Sequence, residues 1–262
     1  MMLSRNLEKA KQAFREKNTA LSKEAHETKE RAYHKNEQGA FLKSFIYGGL
    51  DGIITTFAVV TGVTGAAFPP KVAITLGLAN LIADGISMAT GDYLSTKAEN
   101  QYKKKERDRE AWEVENFPEG EKKEMREIYL EKGFPAEKAE MLVGTLSENK
   151  EAWVDVMMRE ELGIIESNES PIKNAFVTFI SFAIFGIIPL LAYILAKPIP
   201  IIAANTFSLA CILTAVTLFL LGSLKFKITE TKWYIGGFET LLVGGMAATA
   251  SYFIGDLIAK IV

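Results

Sequence analysis

Carboxylates and thioethers, not histidines or cysteines, are the residues of this chain placed to do chemistry. The two histidines, His26 and His34, lie in the N-terminal segment, and the single cysteine, Cys211, sits in an apolar run. Neither a disulfide framework nor a CxxC zinc site can form within one chain. Acids instead occur where hydrocarbon penalises them. Asp51 interrupts the apolar run 41–67, and Asp84, Met88 and Asp92 follow in the next one. A charge at bilayer depth costs about 3 kcal/mol on insertion scales, so by default it marks a functional site. Asp92, near the polar end of its run, can also snorkel to the interface. A thioether one turn from Asp84 suits a borderline transition metal better than Ca²⁺ or Mg²⁺. A carboxylate held at low dielectric can trade a proton for a cation, which is the minimum chemistry of antiport. Glu239, about two turns into the last apolar run, either faces the same path or bonds a neighbouring helix.

A second set of ligands lies in a polar stretch. Glu110-x-x-Glu113 and Glu121-x-x-Glu124 each put two carboxylates on one helix face, and Met157, Met158 and Glu161 add thioethers and oxygen. Either these bind metal or they form a solvated acidic surface. Paired carboxylates on facing helices also occur in di-iron bundles, but those need Glu-x-x-His, and no histidine is available here. That argues against oxygen-activating chemistry.

The elements that must position these residues follow from how charge is segregated. Residues 174–224 carry one charge, Lys197, whereas residues 97–170 hold 20 of the 32 acidic groups. A soluble chain interleaves the two, so this one reads as a membrane protein with a water-exposed insert. Its central stretch, Lys71 to Phe117, is free of proline and bracketed by Pro70 and Pro118, as a single helix starting and stopping there requires. Such a helix reaches roughly 70 Å, far beyond a hydrocarbon core of about 30 Å. At about 100° per residue, Asp84, Ser95, Glu99, Glu106, Glu110 and Glu113 fall within roughly 40° of Met88, with Lys97, Lys104 and Arg107 on the far side. One face thus carries ligands from mid-membrane to water.

The predicted fold is all-α, with five transmembrane helices and a helical insert between spans two and three. Residues 1–40 read as an amphipathic segment, because Leu3, Leu7, Ala10 and Phe14 recur at helical spacing. Spans one and two occupy 41–96, the insert 97–170 and spans three to five 171–262, with Pro189 expected to kink span three. Lysine and arginine number ten in 1–43, fourteen in 97–173 and three in 225–232, against only Lys71, Lys197 and Lys260 elsewhere. This bias puts the N-terminus and the insert in the cytosol and the C-terminus on the opposite side. Gly48 and Gly52 make a GxxxG step that admits close helix packing, and it is expected to pair two subunits. There is no basic excess to suggest nucleic acid.

YGGLDGIITTFAVVTGVTGA and ISMATGDYLSTKAE resemble the two signature spans of the vacuolar iron transporter family, and MMREELG resembles the end of its cytosolic metal-binding domain. The resemblance covers roughly residues 41–262. It implies a homodimer in the lipid bilayer, with a path between first and second spans at the dimer interface. It implies export of Fe²⁺, often Mn²⁺, from the cytosol in exchange for protons. No enzymatic activity and no organic cofactor are expected. Carried over by motif, Asp51 and Met88 line the path, and Glu110, Glu113, Glu121, Glu124, Met157, Met158 and Glu161 bind metal. Asp84 stands where the family often has a small or neutral residue, and Asp92 replaces a common Glu; both bear on ion preference. The competing reading is a membrane-anchored metal-binding or sensing protein, which would need no acids inside its spans.

Overall fold

The computed structural model describes residues 3–5, 7–27, 29–31, 36–165, 169–196, 198–224 and 232–261. The chain divides into two compact units, Met1–Leu42 and Lys43–Val262. In the first, helices α1 (Leu7–Glu16) and α2 (Thr19–Glu27) form a hairpin, and strands β1 (Leu3–Arg5) and β2 (Lys29–Arg31) pair antiparallel, Leu3 opposite Arg31. Leu3 therefore belongs to a strand, and the helix expected from its spacing begins only at Leu7. Lys17 turns the chain with a positive φ of 51°, and the Asn18 side chain accepts from the Leu21 amide at 3.1 Å, capping α2. The buried Ala13 and Ala25 are small enough for the two helices to meet. Phe14 remains exposed, with Lys17 Nζ 4.0 Å from its ring centroid.

The second unit is an all-α membrane protein. Helix α3 (Asn36–Gly65) holds the first span, Phe41–Gly65, and α4 (Pro70–Asn116) is one helix of 47 residues. The prolines explain both ends of α4. Pro70 occupies a first-turn position that needs no amide donor, and Pro118 likewise opens α5 (Pro118–Glu131). Helices α6 (Ala136–Ser147) and α7 (Lys150–Glu160) complete the insert. Then α8 (Pro171–Gly186) and α9 (Ile188–Ala196) form a bent pair, 42° apart. Pro189, two residues into α9, offers no backbone donor, so the ladder breaks where the kink was expected. The expected fourth span opens with a separate turn, α10 (Pro200–Ala203), before α11 (Thr206–Ser223). The Asn205 amide bonds the carbonyl three residues back, at Ile202, and the continuous ladder is lost there. Helix α12 (Trp233–Ile261) is the last span. With the bent pair taken as one crossing, the described residues contain five candidate spans. Lys197 and the basic residues at 225 and 227 lie outside the described residues.

Packing inside the bilayer depends on small residues that let backbones touch. A Cβ added at Gly48 would lie 2.5 Å from Ser181 Oγ and 2.6 Å from the Thr178 carbonyl oxygen, and one at Gly52 would strike the Phe182 backbone. The GxxxG step is therefore filled by α8 of the same chain. It cannot also pair two subunits, which corrects that expectation. Sequence spacing reveals a close-packing face but not whose helix fills it. At the other end of α3, Gly62 and Gly65 face Ser251, Tyr252 and Gly255 of α12 in the same manner, and Ser251 Oγ donates to the Ala58 carbonyl at 2.5 Å. In the insert, Val114, Met125, Val143, Trp153, Val154, Met157 and Met158 make one buried cluster from α4, α5, α6 and α7.

Candidate metal centre

The turn at Pro118 folds α5 back along the end of α4, so the two ExxE pairs meet. Carboxylate oxygens of Glu110, Glu113 and Glu121 lie within 4.8 Å of one another, as do those of Glu121, Glu124 and Glu161. Glu121 belongs to both groups, and Glu161 comes from the C-terminal end of α7. Five of the seven insert residues singled out by sequence therefore converge. Glu110 is only 1% exposed and Glu121 only 5%. The Oε2 of each has no hydrogen-bond partner among the described residues. A buried carboxylate oxygen left unpaired is costly, and a bound cation removes that cost.

One cation of the chain partly offsets the group. Arg109 donates to Glu110 Oε1 at 2.9 Å and to Glu106 Oε2 at 3.0 Å. Even so, burial first, and then repulsion from Glu161, push Glu110 up to about 7. Burial and then the Glu110 charge push Glu121 up to about 7 as well. Burial followed by the Glu124 charge raises Glu161 too. Clustered oxygen donors that hold protons near neutrality suit a divalent cation. Around them, Arg107 pairs with Asp155 at 2.6 Å, Lys132 with Glu160 and Lys150 with Glu115, tying α7 to α4 and α5.

Met157 and Met158 are placed differently. Both are buried, at 0% and 1% exposure, in the apolar cluster beneath this surface. The structure gives them a packing role that sequence spacing does not distinguish from ligation.

Within the membrane, Asp51 on α3 and Asp84 on α4 are both half-buried. Asn80 Nδ2 donates to Asp84 Oδ2 at 2.6 Å. Met88, one turn further along α4, is also half-buried. Asp92 has different surroundings. Its carboxylate accepts from Ser44 Oγ of α3 at 3.0 Å, from Thr178 Oγ1 of α8, and from Thr96 Oγ1 of its own helix at 3.4 Å. It ties three helices together by their hydroxyls. Glu239 is exposed on the second turn of α12. Sequence reasoning missed Arg109, Ser44, Thr178 and Asn80. Only Asn80, four residues before Asp84, and Arg109, inside the acidic run, left a readable signal.

A profile described as the VIT family matches residues 42–256. The chain is 36% identical to a vacuolar iron transporter of Toxoplasma gondii, covering 98% of this chain and 90% of the relative. It is 38% identical to a vacuolar iron transporter of Plasmodium falciparum, covering 97% of each. Vacuolar iron transporter 1 of Arabidopsis thaliana is 31% identical over 84% of this chain and 87% of its own length.

Proposed function

The chain belongs to the vacuolar iron transporter (VIT) family, and from that premise we propose that it moves Fe²⁺, and Mn²⁺ with it, out of the cytosol in exchange for protons. The observation that carries this reading is the continuity of α4. One helix bears Asp84 and Met88 in its apolar part and Glu110 and Glu113 in the insert, 22 residues or roughly 33 Å further on. Metal captured by the insert carboxylates is thereby coupled to a carboxylate–thioether site within the span. Asp51 is the proton-exchanging group, since a half-buried acid in hydrocarbon must be neutralised by either a proton or a cation. Asp84 and Met88 complete the site, Glu239 faces the path from the last span, and Met157 and Met158 back the insert ligands. Asp92 holds the helices that frame the path. The excess of Lys and Arg in residues 1–43 and 97–173 supports a cytosolic N-terminus and insert.

The working unit is a homodimer in this reading. Helix α4 exposes Ala79, Ala83, Ser87, Gly91 and Ser95 at four-residue spacing, and a Cβ added at Gly91 would meet nothing within 4 Å. Small residues on an uncovered face of a span favour close pairing with a second helix. A second α4 there would also enclose the half-covered Asp84 and Met88.

Reconstitution in liposomes tests the proposal. Fe²⁺ and Mn²⁺ uptake should depend on an opposing proton gradient, whereas Ca²⁺ uptake should not occur. Asp51→Asn should abolish transport while leaving the folded protein intact. Full Fe²⁺ uptake by Asp51→Asn, or uptake indifferent to the pH gradient, would defeat the exchange mechanism.

A further inference from the structure

Arg109 already occupies part of what a metal in the insert would need. Its Nη2 lies 2.9 Å from Glu110 Oε1 and 3.0 Å from Glu106 Oε2, so one nitrogen bridges two acids. Glu110 belongs to the carboxylate groups that converge at the Pro118 turn, and Glu106 does not. Arg107, Lys132 and Lys150 are engaged elsewhere, on Asp155, Glu160 and Glu115.

The two contacts of Arg109 are not equivalent. Residues three apart on a helix are neighbours, whereas adjacent ones point about 100° apart. Glu106 is therefore the natural partner, and the guanidinium reaches Glu110 by leaning sideways round α4. The Arg109 side chain is 47% exposed, the Glu110 side chain only 1%. A long, half-exposed side chain is cheap to move, since ion pairs with a solvated partner contribute little. A divalent cation held by Glu110 would stand beside the guanidinium, and like charges that close repel. Turning onto Glu106 alone relieves the repulsion without leaving the guanidinium unpaired.

We propose that Arg109 is a built-in competitor for the insert's metal. Its guanidinium occupies Glu110 in the empty site, swings onto Glu106 when a divalent cation enters, and returns as the cation leaves. It thereby holds the affinity low enough for captured metal to be passed on. This role rests on the insert binding metal, as proposed above. An arginine that merely fixed Glu110 for ligation would have the opposite effect on affinity, so the sign of the change decides.

Titration calorimetry of the full-length protein in detergent with Mn²⁺ reads that sign. The insert's share is the heat that Glu110→Ala with Glu113→Ala removes. Arg109→Gln deletes the charge at a helix position that glutamine suits. It should tighten Mn²⁺ binding by about 10-fold, the order expected for removing one charge a few ångströms from a divalent ion near the protein surface. Arg109→Lys keeps the charge and should stay closer to the unaltered protein than to Arg109→Gln. Glu106→Gln removes the second perch, so it should weaken binding more with Arg109 present than in Arg109→Gln. Unchanged or weaker Mn²⁺ binding by Arg109→Gln would overturn the proposal, as would equal losses from Glu106→Gln in the two backgrounds. The insert site itself fails separately: if Glu110→Ala with Glu113→Ala removes no heat, the metal centre lies elsewhere and the competitor falls with it.

Discussion

Glu110 and Glu121 fix how the insert should respond to pH. Each has an ordinary carboxylate value of 4.5 when unfolded and about 7 when folded. An acid that binds its proton more tightly in the fold favours the fold only while it is protonated. The part of the metal-free protein's stability that these two acids contribute should therefore be full below about pH 4.5 and be lost as pH rises through about 7. Thermal unfolding in a chelator between pH 5 and 8 checks the sign; a melting temperature that climbs with pH would contradict it. Metal reverses the picture, because it needs the same carboxylates deprotonated. If both must release protons, Mn²⁺ affinity should fall up to about 100-fold from pH 8 to pH 6, as titration calorimetry would read. Asp92 makes a different residue-scale prediction. Its three hydroxyl donors come from α3, α4 and α8, so Asp92→Ala should cost about 1–2 kcal/mol of stability. That loss should appear in unfolding by denaturant with or without metal, whereas Asp51→Asn should leave stability largely unchanged.

At the scale of elements, the two small-residue faces of the first two spans predict opposite phenotypes. The Gly52 face is filled by the backbone of α8, so Gly52→Leu should impair folding of the subunit itself. The Gly91 face is open, so Ser87→Leu with Gly91→Leu should leave the subunit folded but shift the proposed dimer to monomer in light scattering. A dimer unaffected by the α4 pair would place the subunit contact elsewhere. These two faces also mark the limit of reading sequence. The ends of α4 are legible because proline acts locally through its missing amide, and Pro189 announces the bend between α8 and α9 for the same reason. What fills Gly48 and Gly52 is not legible, because Thr178, Ser181 and Phe182 are more than 120 residues away and no local pattern names them. The same holds for Thr178 on Asp92. The insert lies between these cases. Two ExxE pairs flanking a proline turn imply a meeting of carboxylates, but a Met at helical spacing looks the same as core or as ligand, and Met157 and Met158 lie in the core.

For the whole molecule, the proposed transport makes capture and passage separable. Glu110→Ala with Glu113→Ala dismantles the carboxylate triad they share with Glu121 and should remove most of the metal-induced rise in melting temperature. Liposome uptake at high Fe²⁺ should persist, because Asp51, Asp84 and Met88 are untouched; uptake lost at every concentration would mean that the insert belongs to the path itself. The unbroken α4 also has a mechanical meaning. A rod anchored by its apolar half in lipid is a lever with its long arm in water. Spans answer a change in hydrocarbon thickness by tilting. A tilt of about 10° about Met88 would swing Glu110, some 33 Å along the rod, by roughly 6 Å. The thickness of the bilayer that houses the protein would then set where the insert's carboxylates stand sideways over the membrane surface, far more than their height above it.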